Sequence, residues 1–136
     1  MREVFYSIMT AVGAMCAYFF GGVDTLFIVL CAFIIIDYAS GLVVAFVFKN
    51  STKTNSGGAS SSVCFHGLCK KVFTLILVGV ANMLDMALGT DFVRGGVIVA
   101  FISSETISII ENAGLMGIKI PQALQEALDM LSGRKE

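Results

Sequence analysis

The sequence predicts an all-α protein that crosses a membrane about four times and ends in a short amphipathic helix. Of the 136 residues, 57% are hydrophobic and 14% are charged, and the mean hydropathy is +0.88. Soluble domains carry about 25% charged residues. The hydrophobic residues are concentrated in four long runs, each close to the roughly 20 residues that a helix needs to cross the hydrocarbon of a bilayer.

Turn and polar residues separate these runs and set their predicted ends. The first run ends at Gly21 and Gly22, the second follows the turn at Asp24, and the third follows Lys70 and Lys71. The fourth run is the most polar, because it contains several serines and a glutamate. It is therefore expected to pack against other helices. The predicted spans are residues 4–20, 26–48, 72–88 and 92–110, within a transmembrane domain of residues 1–120.

Two segments outside the runs have different compositions. Residues 49–62 are rich in Ser, Thr, Asn and Gly and lack apolar periodicity, which predicts a flexible exposed loop. In residues 121–136, Pro121 suits a first helical turn, and Leu124, Leu128 and Leu131 fall on one face. This C-terminal helix is expected to lie on the membrane or to bundle with copies of itself, and the sequence leaves both options open.

The basic residues predict the orientation in the membrane, because Lys and Arg are enriched in short cytoplasmic loops. With four spans, Arg2, the lysines around the long loop and the basic residues of the C-terminal tail share one side, and Arg94 lies on the other. We therefore expect a multi-pass membrane protein with both termini in the cytoplasm. A three-span arrangement would place the termini on opposite sides and fits the charges less well.

Composition and motifs argue against several functional classes. The net charge of −1 and the lack of a basic patch argue against nucleic-acid binding. Cys64, His66 and Cys69 offer three candidate ligands with no fourth nearby, so neither a metal nor another cofactor is predicted. One His, no paired nucleophile and base, and no phosphate-binding glycine loop argue against an enzyme.

Polar side chains inside the apolar runs are the main functional signal. Asp37, Asp85 and Glu105 each lie in a different run. An ionisable side chain in hydrocarbon costs several kcal/mol, so it normally faces a bundle interior or a wet cavity. Lys and Arg fall at or beyond the ends of the runs, so these acids are expected to lack an intramembrane cation and to be neutral, hydrogen-bonded or facing water. The predicted pore-lining seam is Asp37, Asn82, Asp85, Glu105, Ser108 and Asn112.

Small residues recur at helical spacing beside these polar positions, most clearly every four residues in the fourth run. Such stripes let helix backbones approach closely within a membrane. They can hold one bundle together or join several copies of the chain. The predicted packing residues are Gly41, Ala45, Gly79, Gly96, Ala100 and Ser104.

Several short motifs follow one another from about residue 35 to 131. They are residues 37–41 (Asp-Tyr-Ala-Ser-Gly), 67–71 (Gly-Leu-Cys-Lys-Lys), 81–85 with Asn82, 104–105, 108–112 (Ser-Ile-Ile-Glu-Asn) and 117–121 (Gly-Ile-Lys-Ile-Pro). In order and spacing they resemble the phage-lysis and toxin-secretion holin family of Gram-positive bacteria and their phages. Residues 108–112 are the most specific part. Ser104, where the family often has Asn, and Ile120, where a Pro-x-Pro pattern is frequent, depart from the family pattern.

The resemblance implies a small protein of the bacterial cytoplasmic membrane that oligomerises and opens pores or lesions, and that is not an enzyme. Through these openings an endolysin, which is a murein hydrolase, or a toxin would leave the cytoplasm, giving host-cell lysis or toxin secretion. Two alternatives stay open. One is a small proton-coupled multidrug-type transporter, which also needs a buried acid, and the other is an antiholin or scaffold that forms no pore. The lack of Trp and the three dispersed carboxylates favour the pore.

Overall fold

The chain is helical in a computed structural model, which describes residues 1–132. Four long helices and one short helix follow in order: α1 Arg2–Phe20, α2 Thr25–Val43 with a π-helical extension Val44–Phe48, α3 Ser61–Leu88, α4 Val93–Leu115 and α5 Gln122–Ser132. The first four are long and apolar enough to cross a membrane. The predicted all-α class, with four candidate spans and a short C-terminal helix, is confirmed.

The largest difference from the predicted spans is at the start of α3. This helix begins at Ser61, whereas the predicted span begins at Val72. The intervening residues contain apolar side chains at helical spacing and no proline. At about 1.5 Å per residue, α3 is roughly 42 Å long, which exceeds the roughly 30 Å hydrocarbon of a bilayer. The membrane boundary along α3 stays a prediction, but Lys71 lies within the helix and not at its start.

Helices α2 and α4 share the most extensive interface, and α3 packs mainly on α4. A buried apolar core lies where these three helices meet and consists of Leu30, Ile34, Val78 and Ile98. α1 packs mainly on α3, and only its C-terminal part is shielded, because residues 1–16 are all exposed. The bundle is therefore a three-helix core with α1 attached at one end.

Gly79 permits the contact between α1 and α3. A Cβ atom on this residue would lie 1.9 Å from Cε1 of Phe19, far inside van der Waals contact. The Phe19 ring therefore rests directly on the backbone of α3. Of the predicted packing residues, Gly79 and Ala45 are buried and Gly41 is half-buried.

The segment between α2 and α3, residues 49–60, is folded upon itself. The Ser51 N–H donates to the Gly57 carbonyl at 2.8 Å, and the Thr54 hydroxyl donates to the Gly58 carbonyl at 2.8 Å. The Asn50 side chain donates to the carbonyl of Leu115 at the end of α4. The sequence predicted a loop here but not these hydrogen bonds, and its predicted flexibility stays a prediction.

Helix α5 packs against α4, and its described side chains are exposed. Of the predicted apolar face, the side chain of Leu124 is exposed, while the side chains of Leu128 and Leu131 lie outside the described part of the chain. Residues 133–136 of the predicted C-terminal tail also lie outside it. Whether α5 lies on the membrane or bundles with other copies therefore stays open.

Candidate functional site

Three ionisable side chains from three helices meet inside the bundle. The Lys71 ammonium of α3 lies 2.5 Å from Oδ2 of Asp37 on α2 and also binds Oε2 of Glu105 on α4. The two acids are only 3% and 5% exposed. Asp37 and Glu105 lie near the middle of their helices, so this ion triad, Asp37, Lys71 and Glu105, lies deep within the bundle.

The expectation that these acids lack an intramembrane cation was therefore wrong for Asp37 and Glu105. The predicted third span began after Lys71, because two consecutive lysines usually mark a membrane edge. In the structure, α3 starts ten residues before Lys71, which places this lysine level with the midpoints of α2 and α4. The continuation of apolar residues at helical spacing upstream of Lys71 is the sequence signal that could have identified it.

Neutral polar groups complete the surroundings of the triad. The Asn112 amide donates to Oδ1 of Asp37 at 3.1 Å and to the Ser40 hydroxyl at 2.8 Å. The Ser108 side chain is a further hydrogen-bonding neighbour of Asp37. Four of the six predicted seam residues, Asp37, Glu105, Ser108 and Asn112, are thus close together. Ser40 was not predicted as a site residue.

Burial makes this arrangement sensitive to the loss of any one charge. Charged groups in a low-dielectric interior lose their hydration, and their mutual attraction compensates only when the geometry and hydrogen bonds are good. Removing one partner of a buried pair leaves the other uncompensated and costs about 3–5 kcal/mol. The triad is therefore stable only while α2, α3 and α4 stay together.

The other two predicted seam residues lie at the opposite end of the bundle. Asp85 accepts hydrogen bonds from the Thr90 hydroxyl at 2.6 Å and from the backbone N–H groups of Val93 and Arg94 at 3.0 and 2.8 Å. These N–H groups belong to the first turn of α4, where the helix dipole favours a negative charge. Asp85 therefore holds the turn between α3 and α4.

Asn82 and Arg94 hold the end of α1 in the same region. The Asn82 amide donates to the carbonyls of Tyr18 and Phe19, both at 3.1 Å. The Arg94 guanidinium donates through Nε to the Phe20 carbonyl at 2.6 Å. These carbonyls belong to the last turn of α1, where the regular helical partners are missing, and that of Tyr18 also accepts from the N–H of Gly21.

Arg94 also forms an ion pair with Asp24, at 2.7 Å between Nη1 and Oδ2. The hydrogen bond from Arg94 and that from the Phe27 N–H hold the pKa of Asp24 below its ordinary value. We call the group Asp24, Asn82, Asp85 and Arg94 the turn clamp. About 20 Å of α3 separates Asp85 from Lys71, at 1.5 Å per residue, so the predicted seam is divided between two sites.

The small-residue stripe of α4 does not face the other helices along its whole length. Gly96, Ala100 and Ser104 lie on the exposed side of the helix, whereas Asn112 is buried. Residues four apart in an α-helix are rotated by about 40° per step, so a four-residue stripe turns from one face to another. A packing role for the exposed members requires a second molecule and stays a prediction.

Comparisons with known proteins place the chain in a family. The model of the bacteriophage holin family matches residues 14–133. An uncharacterized protein of Listeria monocytogenes is 40% identical over 128 residues, covering 91% of this chain and 86% of the relative. An uncharacterized 14.9 kDa protein of Clostridium perfringens is 32% identical, covering 93% of this chain and 92% of its own length.

A Bacillus subtilis protein, also uncharacterized, is 32% identical and covers 88% of this chain and 79% of the relative. No solved structure matches the chain. The family match covers the ion triad, the turn clamp, the second to fourth candidate spans and the part of the first that follows residue 13. With four apolar helices and a family model that matches most of its length, this chain belongs to the bacteriophage holin family of multi-pass membrane proteins.

Proposed function

We propose that the protein oligomerises in the bacterial cytoplasmic membrane and opens pores or lesions that release an endolysin or a toxin. It acts by permeabilising the membrane rather than by catalysis. The observation that carries this proposal is the ion triad, which places two carboxylates and an ammonium at the contact of α2, α3 and α4. Family membership supports the same function.

In the closed protein, the polar side chains face each other and apolar side chains face the lipid. Asp37 and Glu105 are buried, while neighbouring side chains such as Ile35, Ile36 and Ile107 are exposed on the outside of the bundle. Separation or rotation of α2 and α4 would expose the triad. Because charged groups are far more stable in water than in hydrocarbon, the exposed triad would have to line a water-filled opening.

Oligomerisation would use surfaces that one molecule leaves open. Gly96, Ala100 and Ser104 form an exposed strip of small residues on α4, and α1 is exposed over residues 1–16. Close packing of small residues is a common basis of helix association in membranes. Asn112 and Ser108 would lie beside the triad along the opening, whereas Asn82 and Asp85 would remain at its end.

The predicted orientation places both termini and residues 49–60 in the cytoplasm and the turn clamp on the outside. A full charge that crosses the membrane gains or loses about 2.3 kcal/mol per 100 mV, and an oligomer multiplies this energy. Displacement of triad charges on opening would therefore make the opening depend on the membrane potential.

Inducible expression in bacteria tests this function. The wild-type chain should cause abrupt growth arrest with entry of a membrane-impermeant dye. The variant Asp37→Asn/Lys71→Met/Glu105→Gln keeps the shape of the triad without its charges, and it should delay or abolish dye entry. The matched control is Glu111→Gln, since Glu111 lies on the exposed side of α4 and outside the triad.

Three results would contradict the proposal. Unchanged timing and extent of dye entry in the triple variant would exclude a role for the triad. Unperturbed growth with raised resistance to cationic dyes would instead indicate a transporter. Neither phenotype at confirmed membrane expression would indicate an antiholin or scaffold.

A further inference from the structure

A small cavity adjoins the ion triad on the side of residues 49–60. It has a volume of about 60 Å³ and is bounded by the triad members Asp37 and Lys71 and by the loop residues Ser51, Lys53 and Thr54. A cavity needs about 10–15 Å³ of such volume to hold one water molecule. This cavity therefore has room for a few water molecules in direct contact with the triad.

The opposite side of the triad is closed by apolar side chains. Leu30 and Ile34 of α2, Val78 of α3 and Ile98 of α4 are buried between the triad and the turn clamp. Each lies three to seven residues from the triad member on its own helix, which is about 4–10 Å along the helix axis. Among the described residues, water thus has a polar route to the triad from the loop side and meets the apolar core on the other.

The charges of the triad do not balance when both acids are ionised. Two carboxylates then share the single ammonium of Lys71, and one negative charge is left over. Asn112 donates a hydrogen bond to Asp37 but carries no charge. A net charge buried among apolar helices is costly, and one proton on the pair of carboxylates would remove it.

Other titratable or charged groups around the triad and its cavity do not supply the missing positive charge within the bundle. Lys53 lies on the cavity wall and its charge acts on Asp37, but it is exposed to solvent, which screens this interaction. The Tyr38 hydroxyl donates to the Cys64 carbonyl. The groups that face the triad or its cavity are Asp37 and Tyr38 of α2, Cys64 and Lys71 of α3, Glu105 of α4 and Lys53 of the loop.

We propose that the triad is a binding site for one proton, shared by Asp37 and Glu105 and exchanged with water through the cavity under residues 49–60. In the proposed orientation this proton comes from the cytoplasm. The site would couple the closed bundle to cytoplasmic pH. The presence of the proton does not depend on pore formation, so it can be tested separately from the proposed function.

Infrared spectroscopy of the full chain in lipid vesicles at neutral pH tests the stoichiometry. In the wild type, the intensity of the carbonyl stretch of protonated carboxyl groups should correspond to one such group per chain. Asp37→Asn and Glu105→Gln should each abolish the band, because the remaining carboxylate then pairs one-to-one with Lys71. Lys71→Met should double it, and the control Glu111→Gln should leave it unchanged.

Two variants that remove different acids keep the test decisive if one of them fails to fold, which circular dichroism would reveal. Absence of the band from the wild type would overturn the proposal, as would a band that persists in a folded Asp37→Asn or Glu105→Gln protein. Dye entry in cells is not part of this readout, so a missing band would leave the proposed function standing.

The route is tested by the rate at which the carboxyl proton exchanges for deuterium in heavy water. The shift of the same infrared band follows this exchange. Gly67 lines the cavity, and Gly67→Leu should fill part of it and slow the exchange severalfold. Gly95→Leu is the matched control, because a Cβ at Gly95 meets no described atom within 4 Å and lies at the turn-clamp end. Equal exchange rates in both folded variants would contradict access through the cavity.

Discussion

The ion triad and the turn clamp both join carboxylates to basic side chains, but they depend on the fold in different ways. In the clamp, Asp85 binds the first turn of α4, and Arg94 binds the last turn of α1 and the adjoining Asp24. The partners of Asp85 are fixed by the short turn between α3 and α4, whereas Arg94 joins α4 to the end of α1. In the triad, every partner comes from a different helix. Separating α2, α3 and α4 therefore breaks every ion pair of the triad and can leave the hydrogen bonds of Asp85 intact.

This difference assigns different tasks to the two regions. The clamp contains one strongly exposed member, Asp24, and its hydrogen bonds mostly satisfy backbone groups at helix ends. It determines how the helices are connected. The triad is buried. In its described hydrogen bonds and ion pairs, the side chains of Lys71 and Glu105 bind other side chains and not backbone groups. It is the part whose stability changes when α2, α3 and α4 move apart.

The largest effect is expected from Lys71→Met. The two buried acids would lose their shared cation, and loss of a buried partner costs about 3–5 kcal/mol. Unfolding in detergent, followed by circular dichroism, measures this loss. Lys70→Met is the matched control, since Lys70 is the neighbouring lysine and is exposed.

The triple variant Asp37→Asn/Lys71→Met/Glu105→Gln should regain most of the stability lost in Lys71→Met, because no buried charge then lacks a partner. Equal stability of Lys71→Met and Lys70→Met would show that the ion pairs of Lys71 do not stabilise the folded protein.

The contact of α1 with α3 is expected to be the next most sensitive. Gly79→Ala places a Cβ within 1.9 Å of the Phe19 ring, and such overpacking costs about 1–3 kcal/mol. Combining it with Phe19→Ala should recover part of this loss in a double-mutant cycle. Gly13→Ala, in an open part of α1, should not destabilise the protein. Additive effects at positions 19 and 79 would contradict the contact.

In the turn clamp, Asp85→Ala should lower the stability by less than half the loss in Lys71→Met. The first turn of α4 would lose an acceptor for its N–H groups, which typically costs less than a broken buried ion pair. The measurement is the same unfolding experiment. Asp91→Ala is the control, because Asp91 is exposed in the same turn. A loss of stability in Asp85→Ala as large as that in Lys71→Met would contradict this difference between the clamp and the triad.

The smallest expected effect is the pH dependence of the Asp24–Arg94 pair. Because the folded protein lowers the pKa of Asp24 below 3.8, the pair stabilises the fold at pH values above this value. The contribution is lost as the pH falls through the lower pKa of the folded protein. Asp24→Asn should therefore reduce the difference in melting temperature between neutral pH and about pH 3. An unchanged difference would show that the pair does not contribute.

The sequence predicted the helices better than the side-chain contacts between them. Apolar runs determine helices in a membrane almost by themselves, so the four candidate spans and the loop after Phe48 were predictable. The position of Lys71 was not, because two lysines resemble a membrane edge until the neighbouring helices bring Asp37 and Glu105 to them.

The division of the polar seam between two sites could not be predicted from the sequence either. Asn82 and Asp85 share a helical face, but their role depends on the ends of α1 and α4, which are distant in sequence. The four-residue stripe of α4 was visible in the sequence. Its gradual rotation about the helix, from exposed Gly96 to buried Asn112, shows that periodicity alone does not define one packing face.

The most direct test of the central claim is the accessibility of position 108 before and after opening. Ser108→Cys, in a chain with its four native cysteines replaced, places a thiol beside the triad. Ile107→Cys is the control, since Ile107 is exposed on the outside of the bundle. Cells expressing each variant would be treated with a charged, membrane-impermeant thiol reagent before and after collapse of the membrane potential. We predict labelling at 108 only after opening and none at 107. Permeabilised cells in which position 108 remains unlabelled would contradict a pore lined by the triad.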